Sequence, residues 1–341
     1  MRDFPGYRRR FRTAESGKEA SWGTLSFVRV AGRLHFDADM IDLHRILCPV
    51  DFSEPSLRAL RHASALAGWY QSALTALYVN PALPMEAVGD VGTFAVGSTA
   101  VLEAARSTRI VSDLRNFVSR AVRDQTVDVE VEEETGTADV IVARASSLPA
   151  DLIVMGTHGR TGIERLLVGS VAERVLRTAS CPVMVVPPHD AVPTETVSFK
   201  HIVCAVDFSA SSLAALRWAV SLAKETDAHL WLLHTIEVPP ELRVSTVVTD
   251  EEVAELNASA RADALSRLRS LIPPQAAEFC SIETATAAGE AAHAILQFAA
   301  EHKADLVVMG AQGHGAIDRL IFGSKTRDVI GGATCPVLTV R

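Results

Sequence analysis

The chain carries one glycine spacing twice: Gly156-x2-Gly159-x9-Gly169-Ser170 and Gly310-x2-Gly313-x9-Gly323-Ser324. Each set follows a short apolar run, Asp151-Leu-Ile-Val-Met155 or Asp305-Leu-Val-Val-Met309, of the kind that forms a strand buried on both faces of a parallel sheet. Glycines where a strand feeds a helix let the main chain come close to an anion, and the N–H groups at the start of the helix point toward it. The spacing therefore predicts a phosphate-binding turn, in duplicate.

The repeat extends well beyond the glycines. Ile46-Leu-Cys-Pro-Val-Asp51-Phe-Ser53 matches Ile202-Val-Cys-Ala-Val-Asp207-Phe-Ser209 at an offset of 156, Gly136 matches Gly289 at 153, and Cys181-Pro182-Val183 matches Cys335-Pro336-Val337 at 154. Such small drift means short loop insertions in one fold, not two folds, and each copy is of domain size rather than solenoid-repeat size. In the second copy, strands are expected at His201–Val206, His229–Ile236, Phe279–Ala285, Asp305–Met309 and Pro336–Val340. Between them fall helices at Ser211–Glu225, Asp250–Leu271 and Glu290–His302 and one after Ser324; Leu213, Leu216, Val220 and Ala223 mark the apolar face of the first. Alternation of this kind predicts an α/β fold, two doubly wound five-stranded parallel-sheet domains of Rossmann-like form in tandem.

The boundaries read as an N-terminal extension over 1–39, domain 1 over 40–187, a Pro-rich linker over 188–197 and domain 2 over 198–341. The extension, with its basic cluster Arg8-Arg9-Arg10-Phe11-Arg12, is either a disordered arm or the product of a start codon placed upstream of the true one; no apolar segment follows the arginines as a signal peptide requires. Pro81 to Ala100 is irregular in composition and expected to be a loop, either a lid or a plain connection. A net charge of −8 argues against nucleic-acid and membrane-surface partners, which call for a basic face. The five cysteines form no C-x-x-C pair and read as strand packing in a reducing cytosol.

In an open parallel sheet, ligands bind beyond the carboxyl ends of the strands where the winding reverses, here between the first and fourth strands of each copy. Asp51 and Gly156 end those strands in the first copy, Asp207 and Gly310 in the second. On these residues both copies resemble universal stress protein domains of the nucleotide-binding type, over nearly everything from Met40 to Arg341. The resemblance implies ATP, with or without Mg2+, as ligand. It places Asp51, Val79, Met155, Gly156, Gly159, Gly169, Ser170 and Val171 around one nucleotide, and Asp207, Thr235, Met309, Gly310, Gly313, Gly323, Ser324 and Lys325 around a second. It also implies a cytoplasmic stress-response protein with an unidentified protein partner, and a fifth strand that dimerises in relatives. Here the two fifth strands of one chain would pair as an internal pseudo-dimer, with a further homodimer open.

Other readings of the same residues stay in view. The strand-end aspartates also suit turns and helix caps. Ser170-Val-Ala-Glu173 has the form of a capping box, and Lys325, where the first copy has Val171, either reaches a phosphate or is solvated. Gly323-Ser-Lys-Thr326 fails as a P-loop because Lys325 does not follow a glycine. His158 and His314 lack ligands at metal spacing, and Glu164 and Asp318 are either solvated charges or Mg2+ partners. With no carboxylate cluster in the glycine loops beyond Glu164 and Asp318, the sequence favours a binding protein without a catalytic residue set, at most a weak ATPase; the alternatives are a slow ATP hydrolase or adenylate-transfer enzyme, and a scaffold with vacant sites.

Overall fold

The computed structural model describes residues 29–30, 33–34, 41–80, 96–122, 125–157, 168–188, 197–237, 250–273, 276, 280–313 and 323–341. Two compact units result, Met1–Asp37 and Ala38–Arg341. In the first, β1 (Arg29–Val30) and β2 (Arg33–Leu34) form a short antiparallel ladder.

The second unit holds both copies of the repeat. The first copy runs β3 (Arg45–Val50), α1 (Glu54–Tyr70), β4 (Ala73–Asn80), α2 (Val96–Ser119), β5 (Val127–Glu133), α3 (Thr137–Ser147), β6 (Leu152–Gly156), α4 (Ser170–Thr178) and β7 (Val183–Val186). The second runs β8 (His201–Ala205), α5 (Ala210–Thr226), β9 (His229–Ile236), α6 (Asp250–Leu271), β10 (Ser281–Ala288), α7 (Ala291–Glu301), β11 (Leu306–Gly310), α8 (Ser324–Gly332) and β12 (Val337–Val340). Val96 to Ala100, expected to be loop, is the first turn of α2; Val96, Gly97, Ser98 and Thr99 are weak helix formers, and this turn extends a 24-residue helix whose nucleation they do not have to supply. The rest of that expected loop, 81–95, and the linker residues 189–196 lie outside the described residues.

Among the described residues, ten strands of this unit form one sheet in the order β10-β9-β8-β11-β12-β7-β6-β3-β4-β5. Within each copy the neighbours are parallel, and the copies join where β12 runs antiparallel to β7, with Leu338 opposite Met184. The fifth strands thus cover each other's edges, which would otherwise present unpaired N–H and C=O groups. Central strands are apolar on both faces because helices cover both: Ile46, Leu47 and Cys48 of β3 and Ile202, Val203 and Cys204 of β8 are fully buried. On α5, Leu216, Ala219 and Ala223 are buried against the sheet, while Leu213 and Val220 are half-buried at the margin of that face.

Side-chain contacts add to the seam between copies. Phe199, fully buried, lies against Trp69 and His62 with ring centroids 5.5 and 5.9 Å away, and the Tyr70 and Ser221 hydroxyls are 2.9 Å apart. None of the five cysteines is in a disulfide, and four of them are buried. Burial pushes Cys181 up to about 11 and raises Cys48 and Cys204 as well, so none of these three is activated as a nucleophile.

Candidate functional site

The strand order places β3 beside β6 and β8 beside β11, so each copy has a crevice where winding reverses. The same turn is built on the floor of both. Asp51 Oδ1 accepts from the Ser53 N–H at 3.1 Å and the Ser53 hydroxyl at 2.5 Å; Asp207 Oδ1 accepts from the Ser209 N–H at 3.0 Å and the Ser209 hydroxyl at 2.5 Å. Each serine then caps the following helix, accepting from the Ser56 or Ser212 N–H at 3.3 Å. The residue between, Phe52 or Phe208, is held left-handed at φ 64°. That conformation costs an L-residue about 1–2 kcal/mol, which the aspartate's hydrogen bonds offset. The turn-former reading of these aspartates therefore holds for one carboxylate oxygen.

The other oxygen has a different neighbour. A methyl group added at Gly313 would stand 2.9 Å from Asp207 Oδ2, so the strand-end carboxylate and the glycine loop meet across the second crevice. Gly310 serves another purpose. A methyl there would lie 2.6 Å from Ser211 Oγ and 2.9 Å from the Ser212 nitrogen, so its missing side chain admits the start of α5. Its counterpart Gly156 ends β6 opposite Val186 and is half-buried.

Both loops close in the same way. Gly169 donates its N–H to the Thr157 carbonyl at 2.8 Å and Gly323 to the Ala311 carbonyl at 3.1 Å, and each glycine is the N-cap of the helix that follows. Ser170 and Ser324 are consequently the first helical residues, exposed at the crevice side. This corrects the capping-box reading of Ser170-Val-Ala-Glu173: the loop closure makes Gly169 the cap, the cap has no side-chain bond, and Glu173 instead faces Arg327 at 3.7 Å. Val171 is half-buried, whereas Lys325 is exposed and ion-paired to Glu237, whose Oε1 also accepts from the Ala291 N–H at 3.3 Å. Lys325 is therefore neither simply solvated nor aimed by itself at a ligand.

The remaining candidates occupy strands. Val79 in β4 and Thr235 in β9 lie opposite Glu132 and Ala287, one strand away from each crevice's first strand. Met155 and Met309 have buried side chains within the core, so only their main chain is available to a ligand. Gly159, His158, Glu164, His314 and Asp318 lie outside the described residues. Among the described residues, no group of three or more His, Cys, Asp or Glu is placed to hold a metal ion.

Contacts that the motif spacing did not reveal distinguish the two crevices. Phe52 is enclosed by aromatic rings, Tyr78 at 4.7 Å and Phe117 at 5.4 Å. Phe208 has His234 at 4.8 Å and the Arg267 guanidinium 3.8 Å above its ring, and His234 Nδ1 bonds the Val206 carbonyl at 2.7 Å. In the second copy the Ser211 hydroxyl donates to the Gln312 carbonyl and Thr326 Oγ1 to the Gly310 carbonyl at 3.2 Å; at these positions the first copy has Pro55 and Ala172.

Two tandem α/β units with paired crevices at their switch points define the class, and comparison with known proteins identifies it further. The model of the universal stress protein family matches residues 43–187 and 198–341, and the chain belongs to that family, with two copies of its domain. A universal stress protein of Methanocaldococcus jannaschii is 38% identical over 143 residues, spanning 42% of this chain and 81% of that one. A universal stress protein of Mycolicibacterium smegmatis is 25% identical over 303 residues, 87% of this chain and 96% of its own. The crystal structure of a universal stress protein from Archaeoglobus fulgidus shares the fold with a TM-score of 0.58 at 20% identity, covering 87% of this chain and 98% of that chain.

Proposed function

We propose that both crevices bind ATP and that the protein is a nucleotide-dependent regulator of a stress response. The observation that carries this reading is the approach of Asp207 Oδ2 to Gly313, which sets an acceptor for sugar hydroxyls beside a glycine loop that leads into α8. Asp51 and Asp207 would hold ribose, and the main chain at Gly169–Val171 and Gly323–Lys325 would meet the phosphates at a helix start, where partial positive charge accumulates. ATP in turn would supply three phosphates and a bound Mg2+ to this donor set. Lys325 adds a cation at the second crevice once Glu237 releases it.

Binding rather than turnover suits this inventory. Phosphoryl transfer calls for a held metal and a group that positions the attacking oxygen, and among the described residues the strand-end carboxylate of each crevice is tied to its own turn through one oxygen. Cysteines that form no disulfide suit a reducing compartment such as the cytoplasm. No helix among the described residues is long and apolar enough to cross a membrane.

The test is mass spectrometry of nucleotide released from the purified chain, with native mass spectrometry to count it. Two ATP per chain are expected, falling to one in Gly313→Val, whose branched side chain fills the space beside Asp207. Rapid phosphate release under excess ATP–Mg2+ would favour the hydrolase alternative, and unoccupied wild-type protein under saturating ATP would favour the scaffold.

A further inference from the structure

Glu173 and Arg327 occupy equivalent places in the two copies, 154 residues apart, and they face each other with Arg327 Nη1 at 3.7 Å from Glu173 Oε1. Met184 and Leu338 are also 154 apart and lie opposite each other at the β7–β12 junction. An approximate twofold axis therefore passes through both pairs. Between identical copies such an axis sets like residue against like. Duplication within one chain has let this position carry opposite charges.

Each of the two residues also closes the first turn of its own helix. The Glu173 N–H donates to the Gly169 carbonyl at 2.9 Å, and the Arg327 N–H to the Gly323 carbonyl at 3.1 Å. Gly169 and Gly323 in turn donate to Thr157 and Ala311, the residues that follow β6 and β11. A connected run of bonds thus leads from the rim of one crevice, through the ion pair, to the rim of the other. Beneath it Ala172, Val175 and Leu176 of α4 belong to the same core as Val329 and Ile330 of α8. Arg341 donates to the Leu176 carbonyl at 2.9 Å and to that of Arg177, fastening the end of α4 to the second copy.

We propose that the Glu173–Arg327 pair couples the two crevices, so that nucleotide at the start of α4 changes the order and affinity at the start of α8, and the reverse. The inference rests on the reading of the crevices as ATP sites. A ligand drawn onto the first N–H groups of α4 acts on the turn that carries Glu173, and among the described residues the polar step from that turn to the other helix's first turn is this ion pair. The side chains of that pair are 34% and 52% exposed, so screening limits the coupling to at most about five-fold in affinity. By linkage the factor is the same in both directions.

Hydrogen exchange on the full chain carrying Gly313→Val tests this, because ATP then reaches the first crevice alone. Saturating ATP is expected to slow exchange at the start of α4 and, without a ligand there, by about two- to five-fold in residues 324–330. Adding Glu173→Ala, or Arg327→Ala as a second variant, should keep the α4 effect and remove the α8 effect; the exchange of charges, Glu173→Arg with Arg327→Glu, should restore it. Protection of α8 that is missing in the Gly313→Val chain, or that survives loss of either charge, would overturn the coupling. Absence of any change at α4 in wild type and variant alike would overturn the nucleotide reading and the coupling together.

Discussion

The two crevices share a backbone and differ in what surrounds it. Both have the aspartate–serine turn, a left-handed phenylalanine at φ 64° and a glycine loop closed on the residue after its strand. Around the first lie rings, a proline and a valine: Tyr78, Phe117, Pro55 and Val171. Around the second lie groups that donate, accept or carry charge: His234, Arg267, Ser211, Thr326 and Lys325. What persisted after duplication is the device that fixes main-chain direction at the strand ends; what diverged is the electrostatic setting. A pocket that grips through amides tolerates that divergence, since the amides belong to the shared backbone.

The largest effect expected from breaking this comparison is structural. Gly310→Val drives a side chain into the backbone of Ser211–Ser212 and should cost about 3 kcal/mol or more, measured by denaturant unfolding, whereas Gly313→Val meets, among the described residues, the end of the Asp207 side chain and should cost far less while losing the ligand. Equal losses of stability would show that the two glycines do the same work.

Next come the aspartates. Asp51→Ala removes charge-assisted bonds to Ser53 and uncovers the strain at Phe52, for about 1.5–3 kcal/mol. Asp207→Ala should cost less, because the Ser209 hydroxyl has Ser211 Oγ at 3.1 Å and the Gln312 carbonyl at 3.5 Å as other partners. Thermal unfolding of the two variants side by side decides the order, and a costlier Asp207→Ala would contradict the redundancy ascribed to the second turn.

The smallest effect is one of pH. Helix α7 is capped by Glu290, which accepts from the Ala292 and His293 N–H groups at 3.0 and 2.9 Å, while its counterpart α3 is capped by Gly136 with no side-chain bond. The His293 and Ala292 amides hold the Glu290 carboxyl below its usual 4.5. A carboxyl lowered in the folded state stabilises above its unfolded value and loses that contribution as pH falls through the folded one. Glu290→Gln should therefore flatten the decline of melting temperature below about pH 4.5 slightly, and no substitution at Gly136 should do so.

Much of this architecture was legible because it repeats. His229–Ile236 and Asp250–Leu271 match the expected bounds, and the other expected elements of the second copy differ at their ends, where capping and strand pairing decide. Asp51 and Asp207 could be placed at the switch points because strand order follows from alternation of strands and helices. Contacts between distant segments could not be read in this way. Glu173 three residues after a serine satisfies the capping-box pattern, but which residue caps α4 depends on loop closure from Thr157, and the true partner Arg327 is 154 residues away. Likewise Lys325 reads as a free cation until Glu237 is brought beside it, and Gly310 as a ligand-facing glycine until α5 is docked on it. An equal offset between Glu173 and Arg327 was the available signal, since it marks positions that meet if the copies pack about a twofold axis.

Main-chain capture of ATP in both crevices is measured most directly by native mass spectrometry of the intact chain with added ATP. Two bound nucleotides on the wild type and one on Gly313→Val are the expected result. A chain that stays bare at saturating ATP, or a Gly313→Val variant that still carries two, would contradict it.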